Sequence, residues 1–102
     1  HAKGINLVLN NGVSGETYNI GGRNERTNNE IVKTICGILD NKRPRSDSKP
    51  YGDLITFVKD RAGHDRRYAI DASKLENELG WRADENFETG IKKTIDWYLN
   101  KY

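Results

Sequence analysis

The chain has 102 residues, a formal net charge of +2 and only 34% hydrophobic residues, so it suits a single domain with a modest core. The basic excess is too small for a dedicated nucleic-acid-binding domain, which concentrates positive charge. No apolar run approaches the roughly 20 residues of a membrane helix, and no signal-peptide pattern opens the chain, so we expect a cytoplasmic protein without a membrane partner.

The first part of the chain predicts a helix followed by a short strand. Residues 2–11 place apolar side chains on one helical face, and Gly12 follows as a helix stop. That face comprises Ala2, Ile5, Val8 and Leu9. Residues 16–20 predict a strand that ends at Gly21 and Gly22.

A second helix is predicted from about Asn28 to Asp40. Thr27 and Glu30 have the capping-box spacing, in which a hydroxyl at the cap precedes a carboxylate by three residues. Apolar residues then recur on one face, namely Ile31, Ile35, Ile38 and Leu39. Residues 42–50 contain two prolines and several charges, which predicts a surface loop. Two further short strands are predicted, at 54–58 and 67–70.

The last part of the chain predicts two helices. Asp71 can cap a short helix that runs to Leu79, Gly80 supplies a left-handed stop, and Trp81 can fold back onto Leu75. A final helix follows Asn86, and its apolar stripe comprises Phe87, Ile91, Ile95 and Leu99. This stripe predicts the face by which the helix docks.

Single residues exclude some classes of chemistry and suggest a shortened chain. Cys36 is the only cysteine, so it forms no disulfide within the chain, and its apolar neighbours predict a small buried hydrophobe. His1, Cys36 and His64 lack the spacing of metal ligands, and no serine or cysteine motif predicts a nucleophile. The chain has no methionine and begins at His1, so we expect a piece of a longer polypeptide.

The run from Asp60 to Asp71 is the strongest candidate for a binding site. It gathers three arginines and a histidine around Gly63: Arg61, His64, Arg66 and Arg67. The arginine fork matches phosphate oxygens two at a time, which favours an anionic ligand, and His64 would donate a hydrogen bond to it. A solvated charge cluster at the start of a strand remains the alternative.

A second and weaker anion site is suggested by residues 16–30. Gly21 and Gly22 precede a helix whose first turn contains Asn28, and helix N-termini attract anions. A plain connection between a strand and a helix explains the glycines equally well.

Several motifs together resemble the C-terminal part of the dTDP-glucose 4,6-dehydratases, extended short-chain dehydrogenase/reductases of deoxysugar and rhamnose synthesis. They occur in the family's order: Gly-Glu-Thr-Tyr-Asn-Ile-Gly-Gly at 15–22, Asp-Arg-Ala-Gly-His-Asp-Arg-Arg-Tyr-Ala-Ile-Asp at 60–71, Glu-Leu-Gly-Trp at 78–81, Phe-Glu-Thr-Gly-Ile at 87–91 and Trp-Tyr-Leu at 97–99. The run at 63–71 is the most specific of these motifs for the dTDP-glucose branch.

The resemblance implies an α/β fold in which residues 1–102 form a small mixed lobe of three to four helices with short strands. An N-terminal Rossmann domain, absent from this chain, would bind NAD, and the lobe would close over dTDP-glucose. The complete enzyme is expected to be a homodimeric NAD-dependent lyase. The sequence contains neither a dinucleotide fingerprint nor a Tyr-x-x-x-Lys pair, so the chain alone is expected to be inactive.

The resemblance also implies roles for individual residues. Arg61 would clamp the pyrophosphate, and Gly63 would let the backbone approach it. Asp60 and His64 would complete the substrate loop, and Asn28 matches an asparagine that contacts substrate. Ala62 also belongs to this site and stands where the family usually has proline. Without proline, the loop loses a fixed φ angle.

Other functions remain open at the level of sequence. The chain could belong to another nucleotide-sugar epimerase or dehydratase of the same family. It could also be a non-catalytic module that binds nucleotides or anions, and a basic nucleic-acid-binding domain is a third interpretation.

Overall fold

Residues 1–65 and 67–102, which the computed structural model describes, form four α-helices, two short strands and one 3-10 helix. The elements are α1 (Ala2–Asn11), β1 (Arg26–Thr27), α2 (Asn28–Lys42), the 3-10 helix (Tyr51–Leu54), β2 (Arg67–Tyr68), α3 (Ser73–Leu79) and α4 (Phe87–Lys101). The predicted class, a small mixture of helices and short strands, is confirmed. The chain divides into two units, residues 1–25 with 69–88 and residues 26–68 with 89–102.

The core of the first unit is built around α3. Leu75 is fully buried, and Ala72 and Trp81 are nearly so. Gly80 adopts a left-handed conformation with φ of 67°, which ends α3 and returns the chain so that Trp81 packs in the same cluster as Leu75. The predicted stop and the predicted contact are both confirmed.

The predicted apolar face of α1 is confirmed only at Val8, because its other members, Ala2, Ile5 and Leu9, are exposed. Ile5 and Leu9 are 52% and 81% exposed, whereas Leu7 and Val8 pack against the buried cluster. Gly4 is buried, and a Cβ atom there would lie 2.7 Å from Ile20 Cγ2. Gly4 therefore lies on the buried face of α1. A search for apolar side chains misses this face, because glycine has no side chain.

In the second unit, α2 begins where the capping box places it and ends at Lys42, two residues beyond the prediction. The 3-10 helix is tied to α2, because Tyr51 donates its N–H to Asp40 Oδ1 at 2.8 Å and its hydroxyl to the Arg43 carbonyl at 2.6 Å. The C-terminal end of α2 also contacts α4, because the Arg43 side chain donates to the Leu99 carbonyl at 3.0 Å.

The predicted apolar stripe of α4 is confirmed. Ile95 is buried, and the other three members, Phe87, Ile91 and Leu99, are half-buried. Cys36 on α2 is half-buried rather than fully buried. Within the described ranges, no helix is both long and apolar enough to cross a membrane.

The predicted strands are mostly wrong. Residues 16–20 form no strand. Residues 54–58 form none either, and Leu54 is instead the last residue of the 3-10 helix. The predicted strand at 67–70 is reduced to β2, which pairs antiparallel with β1 in the register Arg26↔Tyr68 and Thr27↔Arg67. A strand depends on a neighbour's backbone, which local sequence does not specify. Arg66, in the predicted charge cluster, lies outside the described residues.

We expect Leu75→Ala to destabilise the chain by about 2–5 kcal/mol, because it removes a fully buried side chain and leaves a cavity. The free energy of unfolding, measured with urea, tests this. Leu9→Ala is the matched control, since Leu9 is 81% exposed on α1 and should change stability by less than about 0.5 kcal/mol. Equal losses in the two variants would contradict the core described here.

The start of α3 should make stability depend on acid. The Ser73 backbone N–H (2.9 Å) and hydroxyl both donate to Asp71 Oδ1, and these bonds hold the pKa of the Asp71 carboxyl below its ordinary value of 3.8. The ionised Asp71 carboxylate therefore stabilises the folded chain fully above the unfolded-state pKa. This stabilisation is lost as the pH falls through the folded-state pKa. Unfolding measured across that range should lose part of its pH dependence in Asp71→Asn. Asp53→Asn, at a carboxylate whose side chain forms no hydrogen bond with the described residues, is the matched control.

Candidate functional site

The antiparallel pair of β1 and β2 brings two remote segments together. Thr27 ends β1 and caps α2, and β2 follows directly after the loop that contains residues 60–65. As a result, Asn28 Nδ2 lies 3.3 Å from His64 Nε2, although the residues are 36 positions apart. Two residues for which the family resemblance implies substrate contacts are therefore neighbours in the fold.

The capping box determines which donors remain at the start of α2. Thr27 Oγ1 accepts the N–H of Glu30 at 3.2 Å, and Glu30 Oε2 accepts the N–H of Thr27 at 3.0 Å. The backbone N–H groups of Asn28 and Asn29 form no hydrogen bond with the described residues. The positive end of α2 thus presents unpaired donors beside the exposed Asn28 amide, an arrangement that favours an anion.

The loop itself is a tight turn. The His64 N–H donates to the Arg61 carbonyl at 3.3 Å, and Gly63 at the third position has φ of 73°. These are features of a type II turn, which requires glycine at the third position and favours proline at the second, where Ala62 stands. A Cβ atom on Gly63 would meet nothing within 4 Å, so the backbone angle rather than crowding explains the glycine.

Arg61 presents a guanidinium group without an internal partner. Its side chain is exposed and forms no ion pair or hydrogen bond with any described residue, and the same holds for the neighbouring Asp60. By contrast, Arg23 and Arg45 pair with Glu76 and Asp47, each at 2.8 Å. Arg61 is therefore a cation whose hydrogen-bonding capacity an external anion can use.

His64 is half-buried and is held from one side. When the Asn28 amide donates to Nε2, the ring proton lies on Nδ1, which is shielded from solvent and has no partner among the described atoms. Shielded nitrogens of this kind usually have a partner. The ring is thus oriented by Asn28 and retains a group that a ligand or another protein segment can satisfy.

The suggested role of the glycine pair in anion binding receives no support. A Cβ atom on Gly21 would lie 2.9 Å from the Ile70 side chain, so close packing explains that glycine. The Phe87 N–H donates to Asn24 Oδ1 at 3.1 Å, which makes Asn24 the residue that holds the start of α4. The sequence did not predict this role, because no local pattern links positions 24 and 87.

A cleft of about 560 Å³ in the first unit is lined by Gly21 and Gly22 of the second candidate anion site, but it contains none of the residues to which the family resemblance gives substrate contacts. Its lining mixes both signs of charge with amides and one indole: Gly21, Gly22, Arg23, Asn24, Glu76, Trp81, Arg82, Ala83, Asp84, Glu85 and Asn86. The mixed charge gives no preference for a particular ligand. In the part of the chain that the structure covers, no three His, Cys, Asp or Glu side chains cluster as metal ligands would.

Comparison with known proteins decides the family. The family model described as GDP-mannose 4,6 dehydratase matches residues 1–94. The chain belongs to this family.

Individual relatives narrow the comparison to one branch of the family. The chain is 60% identical over 99 residues to a probable dTDP-glucose 4,6-dehydratase of Sinorhizobium fredii and 54% identical to the Escherichia coli dTDP-glucose 4,6-dehydratase. A crystal structure of dTDP-glucose 4,6-dehydratase from Bacillus anthracis, in complex with NAD, superposes with a TM-score of 0.78 at 42% identity and covers 98% of the chain. The resemblance seen in the motifs is confirmed.

These relatives are much longer than the chain. It spans 28% of the Sinorhizobium protein, 27% of the Escherichia protein and 29% of the Bacillus chain. What the complete relatives catalyse therefore enters below as a proposal.

We expect Thr27→Ala to reduce the free energy of unfolding by about 1 kcal/mol, because it removes the side-chain cap of α2. Amide exchange at Glu30, whose N–H donates to the Thr27 hydroxyl, should accelerate in the same variant. Thr27→Ser keeps the hydroxyl and should behave like the unchanged chain. Unaltered stability and exchange in Thr27→Ala would show that the capping box does not hold the site.

Proposed function

We propose that this chain is the nucleotide-binding lobe of a longer dTDP-glucose 4,6-dehydratase, an NAD-dependent lyase that forms dTDP-4-keto-6-deoxyglucose. The observation that carries the proposal is the 3.3 Å contact between Asn28 and His64, which joins the two candidate segments in one place. The identity with proteins named as dTDP-glucose 4,6-dehydratases supports the choice of substrate.

In this proposal the diphosphate of dTDP-glucose lies between the turn and the start of α2. Arg61 donates two hydrogen bonds to phosphate oxygens, an interaction that its unpaired guanidinium is suited to make. Gly63 carries no Cβ and lies in open space, so the phosphates can approach the backbone there. Asn28, Asp60 and His64 provide the remaining polar contacts, and Ala62 leaves the turn more mobile before substrate arrives.

The chemistry belongs to the part of the enzyme outside this chain. The 102 residues include no Gly-rich dinucleotide fingerprint and no tyrosine followed by lysine four residues later, so the lobe alone is inactive. NAD, held by an N-terminal Rossmann domain, accepts and returns a hydride. Contacts to the remote nucleotide orient the sugar against that domain, so residues that never touch the reacting carbons contribute to the rate.

The complete enzyme is proposed to be a cytoplasmic homodimer. The dimer contacts would involve the Rossmann domain rather than residues 1–102, which leaves this lobe to contact its own N-terminal domain and the substrate. Neither nucleic acid nor a membrane surface is a partner in this proposal.

A related substrate is the second candidate. The matching family model takes its description from GDP-mannose 4,6-dehydratase, so a lobe of this family can serve a different nucleotide. A non-catalytic anion-binding module would differ from both, because it would bind phosphates without preferring one base.

We expect Arg61→Ala in the complete enzyme to weaken binding of dTDP-glucose by well over tenfold, since it removes the paired contacts to the diphosphate. The melting temperature should stay nearly constant, because the exposed Arg61 side chain forms no hydrogen bond or ion pair with the described residues. Calorimetric titration measures the affinity. Lys33→Ala removes another exposed cation without a partner in the described residues and should bind normally.

The same titration separates the alternatives. Selective binding of dTDP supports the proposal, preference for GDP supports the related enzyme, and equal binding of both nucleotides supports the module. Strongly salt-dependent binding of single-stranded DNA would favour a nucleic-acid-binding domain. A melting temperature that collapses in Arg61→Ala while affinity holds would make Arg61 a structural residue.

A further inference from the structure

The segment Ile55–Lys59 has the composition of a strand without the pairing of one. It contains Ile, Thr, Phe and Val, the residue types enriched in strands. Ile55 has extended backbone angles, with φ of −66° and ψ of 122°. No strand is assigned here, and Phe57 and Val58 are 77% and 81% exposed. Two large apolar side chains at successive positions are therefore exposed to solvent.

The backbone of this segment is equally unpartnered. The Ile55 N–H donates to the Gly52 carbonyl at 3.1 Å, which closes the 3-10 helix. From Thr56 to Lys59, no residue forms a hydrogen bond within the described part of the chain. A segment of strand-forming residues with free N–H and C=O groups is a template for another strand.

Both ends of the segment are fixed within the second unit. At one end, Tyr51 anchors the 3-10 helix to α2 through Asp40 and Arg43. At the other end, the contact of His64 with Asn28 and the pairing of β2 with β1 hold the loop. The segment between these anchors has lost part of its freedom already, which lowers the entropic cost of adding a neighbouring strand.

We propose that residues 55–59 form an edge strand that pairs with a β-strand from the part of the longer polypeptide outside residues 1–102. The occupant follows from length: the chain spans 28% of the Sinorhizobium relative and 29% of the Bacillus structure, so most of such an enzyme lies beyond it. This inference rests on the proposed function only in that it takes the chain as part of a longer enzyme.

Pairing at this edge would also act on the candidate site. Asp60 and Arg61 follow Lys59 directly, so a strand that fixes residues 55–59 fixes the entrance to the turn. That restraint acts on the same loop from which Ala62 removes the rigidity of proline. The added strand thus orders the guanidinium of Arg61 before substrate binds.

Residue-resolved amide exchange in the complete polypeptide tests the pairing. A strand with one neighbour donates alternate N–H groups, so either Thr56 and Val58 or Phe57 and Lys59 should exchange at least 100-fold more slowly than in the 102-residue chain. The other two amides should stay fast. Rapid exchange at all four positions would overturn the proposal, and so would uniform protection, which indicates burial without strand pairing.

Two proline variants of the complete polypeptide provide a matched pair. Proline at the protected member of Phe57 and Val58 removes a ladder donor and should abolish protection of its partner amide. Proline at the unprotected member should be tolerated better. If either variant fails to fold, the exchange pattern of the unchanged protein still decides the question.

Two further outcomes separate this inference from the proposed function. Protection that appears in the 102-residue chain and grows with its concentration would identify a second copy as the occupant and overturn our assignment. Turnover of dTDP-glucose without alternate protection would leave the proposed function standing and remove the strand. Alternate protection without turnover would do the reverse.

Discussion

The candidate site depends on two pairs of residues in an antiparallel ladder. Arg26 and Thr27 of β1 are matched to Tyr68 and Arg67 of β2, and this short ladder places the turn at Arg61–His64 beside the first residue of α2. Without it, nothing in the local sequence would bring His64 beside Asn28, the first residue of α2. The contact of Asn28 with His64 at 3.3 Å and the capping box of Thr27 add side-chain restraints to this ladder.

Local signals predicted the helices well. The capping box at Thr27, the glycine stop at Gly80 and the apolar stripe around Ile95 each depend on residues within a few positions of one another. The buried face of α1 was largely mispredicted for the opposite reason. Gly4 faces the core because Trp81, from the far end of the chain, lies against it, and no periodic pattern of apolar residues contains that information.

Strands and long-range contacts mark the limit of prediction from this sequence. Residues 55–58 have strand composition but no partner in the described chain, and residues 16–20 likewise form none. At the site, the residue types around Gly63 indicated an anion with His64 as a donor, and the start of the helix at Asn28 suggested a weaker anion site. Contacts to a nucleotide-sugar substrate came only from family resemblance. The contact between Asn28 and His64 joins positions that only the fold brings together. The hydrogen bond from the Phe87 N–H to Asn24 was not predicted, because its two residues are also far apart in the sequence.

In the proposed function, the turn at Arg61–His64 affects how long a bound nucleotide would stay. Ala62 leaves the empty loop more conformations than proline would, and collapsing them on binding costs about 0.4–1 kcal/mol. That cost corresponds to at most about a fivefold loss of affinity, which related complexes express mainly in dissociation rates. A lobe with alanine here would exchange its product for fresh substrate more quickly than one with proline, trading residence time for turnover.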